Sequence, residues 1–306
     1  MNHLSFYWLA DNHQALMQSL KSEFSELVEQ SLKTGRISLP PLPAAVARIQ
    51  QLCTKESTTV SDVADCLIDD PSLAAVVIRI ANSVVFNRRN ITCNDLMTAV
   101  GRLGIIRVRD IVTAQAIEQL KHSIDLSSEC NKMLASSAHN ARELGATMLL
   151  VTETFKTLAP KEYDYLKDEK ALLVGLLADI GLFCLVNEYH LYLERGNYLH
   201  EDIAMQVFQS RCSSISQFVL KNWGFDLDFQ EVASNQELQS PQHEVRYLDI
   251  ARIASHLLMF RKRDDAIAEH EVELNAEGAE VLFELSNLSD HDFNEKLRSA
   301  ILSSGF

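Results

Sequence analysis

The chain has 306 residues, 47% of them apolar, and a formal net charge of −14. That is ample material for a buried core, and the acidic balance excludes a bulk electrostatic grip on nucleic acid or anionic lipid. Ten glycines and six prolines are few, which favours long helices with short connections over a sheet-rich fold.

Six dispersed cysteines (53, 66, 93, 130, 184 and 212) include no C-x-x-C pair. Cys53, Cys66 and Cys184 lie in apolar-periodic segments and read as small core residues of a reducing compartment. The opening Met1-Asn2-His3-Leu4-Ser5-Phe6 has no basic stretch followed by an apolar one. A cytoplasmic protein without a membrane span is therefore expected.

Taken in order, residues 4–33 predict an amphipathic helix with room for one break. Leu9, Leu16, Leu20, Phe24, Leu27 and Val28 recur at helical spacing, and Gly35 ends it. A helix docked on the main domain is the expectation. Leu39-Pro40-Pro41-Leu42-Pro43 is a rigid extended entry, because each proline fixes its own φ and restrains the residue before it. Five short helices follow, over 44–53, 62–68, 71–81, 95–103 and 105–120. Ser61 is the expected N-cap of the second; Asp70 followed by Pro71 opens the third; Asn94 caps the fourth, which Gly104 stops.

A second helical layer begins with a helix over 132–150, and a polar linker over 156–170 follows it. Residues 171–186 are then continuously apolar except for Gly175, Asp179 and Gly181. A helix apolar on all sides must be enclosed by others, so this is the expected central buried helix. It is short for a bilayer, which needs about 20 predominantly apolar residues. Residues 201–223 predict one or two helices interrupted near 211–214. A clear amphipathic helix spans 245–260, a charged connection 261–275, and 277–285 and 292–302 form a closing pair. No β-alternation of useful length occurs, so the fold expected is all-α.

The stretch Gly175-Leu176-Leu177-Ala178-Asp179-Ile180-Gly181 resembles the G-L-L-H-D-I-G signature of the HD phosphohydrolase superfamily, in which the His and Asp are adjacent metal ligands. Upstream motifs narrow the resemblance to the HDOD domain: Leu39 to Pro43, Asp69-Asp70-Pro71-Ser72-Leu73, and Ile80-Ala81-Asn82-Ser83. Ala99-Val100-Gly101-Arg102-Leu103-Gly104 and Trp223-Gly224-Phe225 continue it, over about residues 37–235. The resemblance implies a compact multi-helix HD-like bundle. On this reading residues 1–36 are an N-terminal helical extension. Residues 37–236 are the HDOD-like domain, divided at 125/126 into a first helical subdomain and an HD-like half, and 237–306 are helices packing on that half. It also implies a non-catalytic regulatory role in bacterial signal transduction, with a signalling protein as partner. Receiver or cyclic-di-nucleotide proteins would be separate chains.

An HD centre lowers the pKa of a metal-bound water, which then attacks a phosphoester, and this needs several converging ligands. The resemblance places the first His in the helix holding His139, the central His at Ala178 and its companion at Asp179. Where related domains carry His-His, the chain has Ser234-Asn235-Gln236, and the late Asp falls near Ile253-Ala254-Ser255. One carboxylate and one imidazole do not hold a catalytic ion. Asp179, Ala178 and His139 are thus relic positions, with no catalytic residue, metal ligand or cofactor assigned; a divalent ion near Asp179 is the alternative and makes the chain a metal-dependent phosphohydrolase. A buried acid in such a run must pair with a neighbouring Arg, His or backbone N–H group, or remain protonated. The literal His-Asp pair, His291-Asp292, stands beside Ser289 and Asp290 at a helix start and reads as capping chemistry.

Between positions 79 and 109 there are six arginines and one acid, Asp95, a local net charge of +5. Arg88, Arg89, Arg102, Arg107 and Arg109 therefore predict an anion- or partner-binding face, with nucleotide or nucleic acid also possible. The alternative is that they pair with acids of the same molecule. Asn82-Ser83 reads as a structural turn after a helix.

Overall fold

The computed structural model describes residues 22–238, 240, 245–264, 267, 272 and 274–306. Among these residues every element is helical, as expected from the sequence. Helix α1 (Glu23–Lys33) starts at Ser22, whose hydroxyl accepts the Ser25 N–H. Phe24 anchors it, its ring lying 5.4 Å from Tyr192, 5.8 Å from Tyr189 and 6.4 Å from Phe208. The helix is thus docked by aromatic burial; the first part of the helix expected from residue 4 lies outside the described residues.

The first helical group is α2 (Ala44–Leu52), α3 (Val60–Ile68), α4 (Pro71–Ala81), α5 (Leu96–Leu103) and α6 (Ile105–Ser123). Local capping chemistry sets their starts. Asp70 accepts the Leu73 N–H with Pro71 in the first helical position, as the sequence predicts. Two caps differ from expectation. Thr59, not Ser61, caps α3 through a reciprocal box with Asp62, and Asp95, not Asn94, caps α5 by accepting the Thr98 N–H. Asn82 is the structural turn residue expected: its Nδ2 donates to Ile78 O and Cys93 O, and its Oδ1 accepts the Cys93 N–H. This holds the long α4–α5 loop closed.

Helix α7 (Ser128–Leu158) is the axis of the second layer, longer at both ends than the periodicity predicts. It packs against α6, α8 (Asp168–Leu177), α9 (Ile180–Glu194) and the C-terminal helices α12 (Tyr247–Lys262), α13 (Ala276–Ser286) and α14 (Asp290–Ser304). Helices α8 and α9 are nearly continuous. Together they span Asp168–Glu194, 27 residues, which has the length and apolarity to cross a membrane; 94% of its most apolar window is buried inside the protein, the position of a core helix. The apolar span is therefore longer than residues 171–186 alone suggest.

Glycine permits the close crossings around it. A Cβ on Gly175 would lie 2.6 Å from Gly145 Cα on α7, and one on Gly181 would lie 2.5 Å from the Ser216 nitrogen on α10. Helix α10 (Glu201–Asn222) is one uninterrupted helix, not two, because Arg211 within the expected break reaches back to Glu29 of α1 at 2.6 Å while Cys212 is buried. A short helix that the sequence pattern did not reveal, α11 (Leu227–Ser234), connects α10 to α12. Arg261 closes the C-terminal helices: its guanidinium lies 4.8 Å from the Phe293 ring and donates to Leu285 O, Ser286 O and Leu288 O.

Candidate functional site

The helical run breaks at Ala178-Asp179, where Asp179 takes φ −103° and ψ 20° before α9 begins. The break turns a fully buried carboxylate toward the last turn of α6 and the third turn of α7. Lys121, from the last turn of α6, donates its Nζ to Asp179 Oδ1 at 2.9 Å. The Ser137 hydroxyl of α7 donates to Oδ2 at 2.5 Å. Lys121 is 3% exposed and Ser137 is fully buried. Each carboxylate oxygen thus has one donor, and the acid's negative charge is balanced by one ammonium. Removing both charges from water costs several kcal/mol per ion, on the order recovered only by such close geometry.

The neighbouring groups complete a wall of backbone, hydroxyl and thiol. The Gly181 N–H donates to Ser216 Oγ at 2.8 Å. Cys212 Sγ lies 4.0 Å from the Asp179 carbonyl oxygen, and its pKa is pushed up to about 12, first by burial and then by the Asp179 charge. Burial also drives the Cys184 thiol far upward. Burial thus keeps both sulfurs as neutral thiols. Ala178, 3% exposed, presents a methyl group where the superfamily pattern has imidazole.

His139 does not belong to this centre. Two residues beyond Ser137, it is rotated about 200° around α7, lies on the exposed face and approaches Glu143 at 3.4 Å. Ser137 holds the inward position instead. The other expected ligand positions also have local roles. Ser234 donates to Gln230 O, Asn235 adopts a left-handed φ of 51° and accepts from Arg252 Nε, and Ser255 is buried on α12. The donor set at Asp179, one carboxylate, one hydroxyl and one ammonium, does not fit a divalent ion: an ammonium repels the charge that the metal would bring. Among the described residues, the His/Cys/Asp/Glu group close enough to share an ion is His291, Asp292 and Glu295, all exposed. There Ser289 caps α14 by accepting the Asp292 N–H, the capping role expected of this stretch.

The five arginines do not form one face. Arg109 is 5% exposed and structural, a correction to the expected binding surface. It donates to Asp110 Oδ1 through Nε and Nη2, and to Gly224 O through Nη1; its guanidinium stacks 4.5 Å from the Phe225 ring. The Trp223-Gly224-Phe225 motif is thereby tied to α6. Arg107 pairs with Glu169 at 3.0 Å. Arg88 pairs with Asp168, which also receives Lys156 at 3.0 Å. Arg88, Arg89 and Arg102 do converge, with Lys167 and Glu169, on a surface cleft of about 540 Å³. Lys121, Ser137 and Lys167 have no motif signal; only their placement in space reveals them.

The architecture matches solved structures over most of the chain. A candidate metal-dependent phosphohydrolase from Shewanella amazonensis SB2B superposes with a TM-score of 0.68 at 21% identity, covering 94% of this chain and 99% of that one. A candidate phosphohydrolase from the same organism gives 0.52 at 18% identity, covering 94% and 98%. An HDOD domain protein of unknown function from Geobacter sulfurreducens gives 0.47 at 18%, covering 92% and 96%. No curated protein sequence matches the chain. These similarities concern fold. The HDOD domain profile, however, matches residues 39–238, well over half of the chain, and this protein is a member of the HDOD family.

Proposed function

We propose that this HDOD protein is a non-catalytic regulatory module of signal transduction that acts by binding a partner protein or an anionic ligand. The observation that carries this reading is the Lys121 ammonium on the Asp179 carboxylate. A chain-borne cation sits at the acid that an HD hydrolase would give to its metal, and Ala178 removes the adjacent imidazole. A carboxylate held by an ammonium is not free to ligate the ion that would lower the pKa of an attacking water. Partners of the receiver or cyclic-di-nucleotide kind belong to the same proposal as separate chains.

The test is elemental analysis of purified protein together with phosphodiesterase assays in Mn²⁺ and Mg²⁺. The expected result is less than stoichiometric metal and no turnover above the Asp179→Asn variant. Tightly bound metal at one ion per chain, with hydrolysis lost in that variant, would establish a phosphohydrolase instead.

A further inference from the structure

The α4–α5 loop and the first turn of α8 enclose a cleft whose charges are not balanced. Arg88 is committed to Asp168, and Glu169 is committed to Arg107. Three cations on the cleft wall have no acidic partner among the described residues. Arg89 is exposed. Arg102 Nη1 donates to the neutral Ala81 O at 2.8 Å and Asn82 Oδ1 at 3.5 Å. Lys167 Nζ donates to the backbone oxygen of Asp164 at 2.7 Å. The cleft volume of about 540 Å³ suits a small molecule rather than a protein segment. Its wall also carries apolar surface from Phe86 and from Ile91, which is 58% exposed. Lys167 stands at the N-cap of α8, just before Asp168 and Glu169 of its first turn, and makes no side-chain cap bond.

We infer that this cleft binds a phosphorylated small molecule of about nucleotide size, its phosphates on Arg89, Arg102 and Lys167 and its flat apolar part on Phe86 and Ile91. Guanidinium forks take phosphate oxygens in pairs, and Lys167 supplies a mobile point charge. In a chain of net charge −14 this local cationic site attracts an anion against the overall field. Closing of Asn82 on Cys93 holds the loop in place, so the cleft is largely formed before the ligand arrives. The site is separate from Asp179, and the inference deepens the reading of the domain as a binding module. The two readings fail separately, since metal content and turnover test the buried acid and ligand titration tests the cleft.

The experiment is calorimetric titration of the full chain with adenosine diphosphate, inorganic pyrophosphate and adenosine, in metal-free buffer at low and high salt. Adenosine diphosphate is expected to bind more tightly than pyrophosphate, adenosine to be undetectable, and affinity to fall with salt. The Arg89→Ala/Lys167→Ala double variant is expected to lose about tenfold or more in affinity at an unchanged melting temperature. Glu169→Gln, which removes the acid from the wall, is expected to bind about threefold more tightly, and Arg48→Ala, on another surface, to bind as the parent does. Equal affinity of parent and double variant would overturn the inference. So would absence of binding at millimolar adenosine diphosphate, or binding of a poly-glutamate peptide without binding of the nucleotide, which would mark the cleft as a protein-docking surface.

Discussion

Lys121 Nζ lies 2.9 Å from Asp179 Oδ1, and the two side chains are 2% and 0% exposed. Breaking a pair of this kind from one side strands a charge in the core, at about 3–5 kcal/mol. Lys121→Met is expected to destabilise by that amount in urea unfolding. Lys121→Met combined with Asp179→Leu is expected to recover most of the loss, since no charge is then left buried. A single substitution costing under about 1 kcal/mol would refute the internal ion pair.

Restoring the missing imidazole should not restore an ion. Ala178→His places a larger side chain in a site that is 3% exposed, so a loss of about 1–3 kcal/mol from overpacking is expected. Metal content, read by elemental analysis after incubation with Mn²⁺, is expected to stay at the parent level while Lys121 holds the carboxylate. Stoichiometric uptake by this variant would show that the ammonium can be displaced.

Asp110, about three turns before Lys121 on α6, provides a pH test. Burial raises its pKa from 3.8 to about 6 and outweighs the Arg109 guanidinium, which lowers it. A carboxyl raised on folding binds more protons in the native than in the unfolded chain between about pH 4 and 6, so stability falls as pH rises through that window. Asp110→Asn is expected to lack this slope. Urea unfolding at pH 4.5, 5.5 and 7 should show the parent losing ground against the variant as pH increases; the opposite trend would mean that Arg109 prevails over burial.

The Gly175 and Gly181 crossings predict asymmetric intolerance to a single methyl. Gly175→Ala meets backbone of α7, and Gly181→Ala meets the Ser216 nitrogen, neither of which rotates away. Each is expected to cost about 1–3 kcal/mol or more. Gly101→Ala, where nothing lies within 4 Å, is expected to be neutral or mildly stabilising. Thermal melting of the three variants distinguishes contact from helix propensity.

Much of the fold was readable because helix starts are local. Asp70-Pro71 is one cap and one rigid residue side by side, and its helix begins where the sequence says. Where several capping side chains are adjacent, as at Thr59 and Ser61 or Asn94 and Asp95, the pattern cannot rank them, and the structure chose the one with the reciprocal bond or the carboxylate. Helix α11 was missed because eight residues carry too short a period to register. At the site, Asp179 stood out as a charge in an apolar run. Its partners did not: Lys121 is 58 residues away, and a lysine in a last helical turn ordinarily faces water. Arg109 misled for the same reason, since charge alone does not tell a surface guanidinium from one stacked on Phe225.

The cation at the heart of this domain is covalently part of the polypeptide, so it is present in every molecule once and responds neither to chelators nor to the cell's supply of trace elements. It also makes the centre hard to convert into a metal site one residue at a time. Losing the lysine first leaves a stranded acid, and gaining imidazoles first crowds the core. Assembling a set of metal ligands here would require several substitutions at once, each harmful alone.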